Sequence, residues 1–254
     1  MAPFSRVDED LSVSDVLVEA KNLSLSRHSH WIKPSLFESM LGKYRAPGVK
    51  VLEDVSFTFK GGERIGILGP NGVGKTSLLK CLAGVLNPSE GVLQRQGSVF
   101  PLLDLSACLV SHFDGVTNLY YLGTLLNVPK RKIEEALPSI ISSSGLGKKV
   151  YQPISTYSSG MILRLMFSFF PVVEADILLI DEILSVGDEE FRLRAQKIID
   201  DLLIRSKLFV CVTHDLDYLK KNTERCLWLN KGKLQMDGPT DEVIKNYLHE
   251  CHGN

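Results

Sequence analysis

The sequence predicts an α/β fold built around a parallel sheet, with a small antiparallel layer and a helical subdomain beside it. Three observations carry that prediction. The glycine-rich stretch Gly69-Pro70-Asn71-Gly72-Val73-Gly74-Lys75-Thr76-Ser77 lies between the apolar run Ile65 to Leu68 and the helical pattern Ser77 to Ala83. Two short apolar runs, Ile177 to Ile180 and Leu208 to Thr213, read as strands buried on both faces, and each delivers polar residues at its C-terminal end. Upstream, Val16 to Leu25 and Val51 to Phe59 alternate apolar with polar residues, which suits a half-covered antiparallel layer closed by Gly61-Gly62.

Taken in order, the chain of 254 residues, 44% hydrophobic, is long enough to bury one substantial core and is expected to form one large domain. Met1 to Val13 mixes Arg6, Asp8, Glu9 and Asp10 with few apolar residues, so residues 1–15 read as a flexible lead segment without a secretory apolar core. Ser26 to Lys50, rich in His, Pro, Ser and basic residues, is too irregular for a simple hairpin link and reads as an insertion with a short helix around Leu36 to Leu41. After the first helix, Asn87 to Gly91 makes a turn, and Gly91 to Leu103 returns to strand character. Ser111 to Gly147 is mostly helical, with helices expected over Asn118 to Leu126 and Lys130 to Leu137, broken by Pro129 and Pro138. Cys226 to Asn230 and Lys233 to Met236 form a closing hairpin about Lys231-Gly232, and Asp241 to Leu248 a last helix.

Net charge of −1 gives no general basic field, so duplex nucleic acid is not suggested as a partner. The five cysteines are scattered without C-x-x-C pairing, which points to a reducing compartment rather than a disulfide framework. No apolar run approaches the roughly 18 residues that a membrane-spanning helix needs.

The chemistry starts at Gly69 to Ser77, which fits G-x-x-x-x-G-K-[ST] in strand-to-helix context. Glycines let backbone N–H groups turn inward around phosphate oxygens, and the helix N-terminus adds its positive dipole end. Lys75 is placed to neutralise β/γ-phosphates and Thr76 to hold Mg²⁺. The pair Asp181-Glu182 ends a buried strand: Asp181 suits the Mg²⁺ shell, and Glu182 suits orienting and polarising an attacking water. An acidic strand end that merely caps the next helix is the plainer alternative, disfavoured by the cradle upstream. His214, past another buried strand, is a candidate contact for the γ-phosphate or the attacking water. Tyr157-Ser158-Ser159-Gly160-Met161 opens the apolar segment Ile162 to Phe170, and serine and glycine at a helix N-terminus make an anion site or an ordinary cap.

Together these motifs resemble the ATP-binding subunit of ABC transporters, over nearly the whole chain from Val16. The resemblance implies a single ABC ATP-binding domain over 16–248, with the helical subdomain at about 111–170. It also implies an ATPase in which Ser158, Ser159 and Gly160 reach, across a head-to-tail homodimer, the γ-phosphate held by the other copy. Ser185-Val186-Gly187-Asp188 looks like the family's D-loop and His214 like its switch histidine. The forms Phe100 to Leu105, Thr156 to Met161 and Ile180 to Asp188 are similar to the branch that exports capsular polysaccharide, O-antigen or teichoic acid; a subunit for another cargo such as a lipid or drug, or a soluble ABC ATPase, is the alternative. Cofactors implied are ATP and Mg²⁺, and the partner an integral membrane permease, with the subunit peripheral on the cytoplasmic face of the plasma (inner) membrane. The helical insert, with Phe113, Tyr120 and Tyr121, would receive a short helix of that permease. Some of these exporters add a C-terminal sugar-binding domain, and with the sequence ending at Asn254 none is expected. The family's usual glutamine is replaced in Leu103 to Cys108, where Asp104 and Ser106 are candidates for its contact. His28, His30, Trp31 and Tyr44 are all candidates for the adenine-stacking aromatic.

Overall fold

A computed structural model describes residues 17–28, 48–103, 108–181 and 189–252. Its central sheet follows from strands that are apolar on both faces. In β6 (Ile177–Asp181), Ile177 and Leu179 point into one core and Leu178 and Ile180 into another. β7 (Leu208–Val212) divides the same way, with Leu208, Val210 and Val212 on one side and Phe209 and Cys211 on the other. β3 (Arg64–Leu68) lies parallel between β7 and β8 (Arg225–Asn230). β5 (Val99–Leu102) adds to β6, and β9 (Lys233–Pro239) closes the far edge antiparallel, giving the order β5-β6-β7-β3-β8-β9. Burial on both faces is the reason these strands read as continuous hydrophobic runs.

The antiparallel layer is a second sheet, β2-β1-β4, of β1 (Leu17–His28), β2 (Gly48–Lys60) and β4 (Glu90–Arg95). Its inner residues Val18, Ala20, Leu52, Val55 and Phe59 join α1 (Lys75–Leu82) in covering one face of the central sheet. The other face is covered by α2 (Gly115–Leu125), α3 (Lys130–Ser144), α4 (Ser159–Phe169), α5 (Glu189–Arg205), α6 (Leu216–Asn222) and α7 (Thr240–His252). Arg225 ties the two sheets, donating to both carboxylate oxygens of Asp237 at 2.7 Å, to Glu63 at 2.8 Å and to the Thr58 carbonyl at 3.0 Å.

Several elements depart from the sequence reading. The strand-like run Gly91 to Leu103 is two strands in two different sheets. The chain turns between them at Gly97, with φ of 98°, where a Cβ would fall 2.9 Å from the Asp176 side chain. The helix expected to stop at Leu137 continues through Pro138 to Ser144. Proline removes one backbone hydrogen bond, but Ile133 and Ile140 are buried against the helical core, and that packing holds the helix together on both sides of it. The β1–β2 ladder extends to His28 opposite Gly48, so the insertion narrows to 29–47; the helix expected at Leu36 to Leu41 lies outside the described residues. α5 and α6 were not anticipated at all. In α5 the buried Ala195, Ile199, Leu202 and Leu203 recur at helical spacing, a readable signal.

Candidate functional site

Because β3, β6 and β7 run parallel and adjacent, their C-terminal ends open along one edge of the sheet, where open α/β sheets bind ligands. A cavity of about 390 Å³ lies there. Asn71, Gly72, Gly74, Lys75, Thr76 and Ser77 line it from the β3–α1 connection, Asp181 from β6, Val212 and His214 from the end of β7, and Val51 from β2. Residues far apart in sequence thus meet at one place, among them Lys75, Thr76, Asp181 and His214.

The loop's shape depends on Gly74, which precedes α1 with φ of 110°. A Cβ there would lie 2.8 Å from Leu52 Cδ2 and 3.0 Å from Val51 Cγ1, so glycine is required both by conformation and by the close approach of β2. No side chain caps α1, and the N–H groups of its first turn are those a bound phosphate would meet. Gly69 is buried at the strand end while Pro70, Asn71 and Gly72 are exposed, and Val73 packs inward beneath the loop. Lys75 is 7% exposed, and its Nζ donates to the carbonyls of Gly69 at 2.7 Å and Pro70 at 3.0 Å. Those bonds hold the ammonium within the curl of the loop.

Thr76 and Asp181 share the cavity, an oxygen pair suited to Mg²⁺, which takes one or two protein ligands and completes its shell with phosphate and water. Among the described residues no three His, Cys, Asp or Glu side chains gather into a metal cage. His214 is exposed at the cavity. Around it, Asp215 N–H donates to Thr213 Oγ1 at 3.1 Å, and the Asp215 carboxylate accepts the Tyr218 N–H at 2.9 Å, capping α6. This bracket and the wall formed by Val51 escaped the sequence reading; Asp three residues before a helical N–H is the cap signal that was available for the first.

Ser158 caps α4, its Oγ accepting the Met161 N–H at 3.3 Å. Ser158 and Ser159 are exposed, Gly160 is half-buried, and none of the three lines the phosphate-loop cavity of its own chain. Glu182, Ser185 to Asp188, Asp104, Ser106, His30, Trp31 and Tyr44 lie outside the described residues, and His28 ends β1. In the helical insert Tyr121 is exposed, and Tyr120 lines a separate surface cavity of about 390 Å³ between α2 and α3. A larger cavity of about 750 Å³ lies among α3, α4 and α5, but it has neither a glycine cradle nor a strand-end carboxylate, so chemistry rather than size selects the site.

The sequence profile of the family described as ABC transporter matches residues 52–185, which takes in the glycine loop, the serine cap and the Asp181 strand. The chain belongs to the ABC transporter family. The O-antigen export system ATP-binding protein RfbB of Klebsiella pneumoniae is 35% identical over 196 residues, 77% of this chain and 80% of that protein. The teichoic acids export ATP-binding protein TagH of Bacillus anthracis is 35% identical over 216 residues, 85% of this chain but only 38% of its own length. RfbB of Myxococcus xanthus is 33% identical over 238 residues, 92% of this chain and 54% of the relative. A solved structure of an ATP binding subunit of an ABC transporter superposes with a TM-score of 0.66 at 19% identity, covering 91% of this chain and 93% of that one. The architecture is α/β with a mixed sheet, a fold shared with that solved structure; the family's ATP-binding subunits hydrolyse ATP, and this chain is one of them. Among the described residues no helix is long and apolar enough to cross a membrane.

Proposed function

We propose that this chain powers export of a polysaccharide or lipid-linked polysaccharide, as a homodimer peripheral to the inner face of the membrane and docked on an integral permease. One observation supports the ATPase mechanism above the rest: Lys75, Thr76, Asp181 and His214 converge on a single cavity floored by the glycine loop. The cargo reading rests on relatives at 33–35% identity that are O-antigen or teichoic acid export proteins.

In this reading the triphosphate lies over Gly69 to Ser77, with backbone N–H groups and Lys75 compensating its charge as the bond to the γ-phosphate weakens. Thr76 and Asp181 would hold Mg²⁺, which supplies further compensation of phosphate charge when bound. Glu182 orients the attacking water and takes up its proton, and His214 holds the γ-phosphate side of the cavity. Ser158, Ser159 and Gly160 of a second copy close the site from outside, since they do not line the cavity of their own chain. Each dimer then has two composite sites, related by its two-fold axis.

The test is ATP hydrolysis by wild type and Glu182→Gln, with dimer mass followed in ATP and Mg²⁺. The variant is expected to bind ATP, accumulate as a dimer and lose about two to four orders of magnitude in turnover. Wild-type turnover in the variant would remove Glu182 from the mechanism. Co-purification with the permease, followed by reconstitution with the polymer, tests the cargo.

A further inference from the structure

Asn118, on the first turns of α2, is fully buried although polar. One loop uses its whole amide: Oδ1 accepts the Val110 N–H at 2.8 Å, and Nδ2 donates to the carbonyls of Val110 at 3.1 Å, Phe113 at 3.2 Å and Asp114 at 2.9 Å. The helix does not depend on Asn118 for its cap, because the Asp114 carboxylate accepts the Thr117 N–H at 2.6 Å. What the amide holds is the shape of Val110 to Asp114, the connection arriving from β5.

That loop is in turn the template for the segment entering α4. Ser155 N–H donates to the Ser111 carbonyl at 2.8 Å, Ile154 N–H donates to the Phe113 carbonyl at 2.9 Å, and Asp114 bridges Pro153 antiparallel. Tyr157 closes the unit from the other side. Its hydroxyl donates to the Lys149 carbonyl at 2.8 Å, and a Cβ on Gly115 would fall 2.7 Å from that hydroxyl. Hydrogen bonding therefore runs from the Asn118 amide through the Phe113 carbonyl to Ile154, and Val110, held by the same amide, is the chain neighbour of the Ser111 that accepts from Ser155, just ahead of the cap at Ser158.

We propose that Asn118 is a positioning residue for the Ser158 to Gly160 cap, setting where that cap meets the phosphate bound by a partner copy. The proposal rests on the cross-dimer reading above. It predicts a defect confined to the cap. The cradle at Gly69 to Ser77 packs through Val73 into the core on the other face of the central sheet from Leu119, Ile154 and Tyr157, and keeps its affinity for ATP. Displacing a site group by about 1 Å costs on the order of a hundredfold in rate, so a loosened cap is expected to lower turnover at least about tenfold.

The experiment uses full-length Asn118→Ala and Asn118→Ser, the second keeping a hydroxyl donor and acceptor in place of the amide, and analogue binding reports that each variant is folded. Equilibrium binding of a fluorescent ATP analogue, ATP turnover, and amide hydrogen exchange at Ile154 and Ser155 are measured. Each variant is then mixed with a Lys75→Ala chain, and Gly160→Asp mixed with Lys75→Ala serves as reference. Expected are analogue binding within about twofold of wild type, faster exchange at Ile154 and Ser155 than at α1, and recovery of turnover on mixing. Recovery follows because one site of the mixed dimer pairs a sound cradle with the sound cap of the Lys75→Ala chain. Wild-type turnover in both variants overturns the proposal, as does failure of the Asn118 mixtures where the Gly160→Asp mixture recovers. If the Gly160→Asp mixture also stays inactive, the cross-dimer reading falls and takes this proposal with it.

Discussion

The cradle and the cap of the candidate site are built by opposite means. In the cradle, strand, loop, lysine and helix follow one another within Gly69 to Ser77, and the shape comes from backbone conformation at glycines such as Gly74. In the cap, Ser158 is placed by bonds that start at Asn118 and cross through Val110 to Asp114, a loop in a different part of the chain. Local construction gives a site a sequence pattern; construction through buried side chains gives it a position without one. The cradle also packs against the central sheet at Leu229 and against β2 at Val51 and Leu52, whereas the cap opens α4, among the helices on the sheet's other face.

The contrast breaks most easily at Gly74. Gly74→Ala forces a Cβ into Leu52 and Val51 at a positive φ and displaces the first-turn N–H groups of α1, so ATP turnover is expected to fall about a hundredfold, with weakened analogue binding. Normal binding and turnover in this variant would mean that the cradle tolerates the distortion and is not set by backbone conformation. A smaller effect of opposite sign is expected in the helical subdomain. Pro138→Ala restores a backbone donor inside α3 and should raise stability to urea by about 1 kcal/mol or more while leaving turnover within about twofold of wild type. Unchanged stability would show that α3 bends to accommodate the proline at no cost.

The smallest effect is expected at Asp176, which joins the starts of β5, β6 and β7. Burial raises the pKa of its carboxyl, but the Ser98 N–H and hydroxyl and the Lys207 ammonium outweigh burial and hold it below the ordinary value of 3.8. A carboxylate with a depressed folded-state pKa stabilises the fold above the unfolded value, and that contribution is lost as pH falls through the folded value. Asp176→Asn should therefore cost up to about 1 kcal/mol at neutral pH, a difference that begins to shrink as pH falls past 3.8 and is gone below the lower folded-state value. A pH-independent difference would assign the loss to packing rather than charge. Activity should follow wild type, since Asp176 sits at the strand ends opposite the cavity.

Legibility in the sequence followed the same division. The strands Ile177 to Ile180 and Leu208 to Thr213 were readable because burial on both faces leaves no polar residue inside them, and their C-terminal Asp181 and His214 came with them. The run Gly91 to Leu103 was not, because which sheet a strand joins depends on partners elsewhere: β1 for one half and β6 for the other. Pro138 misled for a related reason. A proline is a local stop signal, and Ile133 and Ile140 override it only through packing that the local window does not contain. Gly66 was likewise silent in sequence; in the fold a Cβ there would fall 2.7 Å from Leu219, so the glycine lets α6 press onto β3 directly behind the phosphate loop.

By itself the sequence determined the chemistry on offer: the phosphate loop with Lys75 and Thr76, the carboxylates at Asp181 and Glu182, the histidine at 214 and the serine cap at 158. These are short-range patterns, and backbone conformation and helix dipoles act over one or two turns. Tertiary structure alone decided that Asp181 and His214 share a cavity with Lys75, that β2 closes over Gly74, and that a buried asparagine governs the approach to Ser158. Those relations depend on strand order and on the satisfaction of buried polar groups, and both are settled only when distant parts of the chain exclude water together.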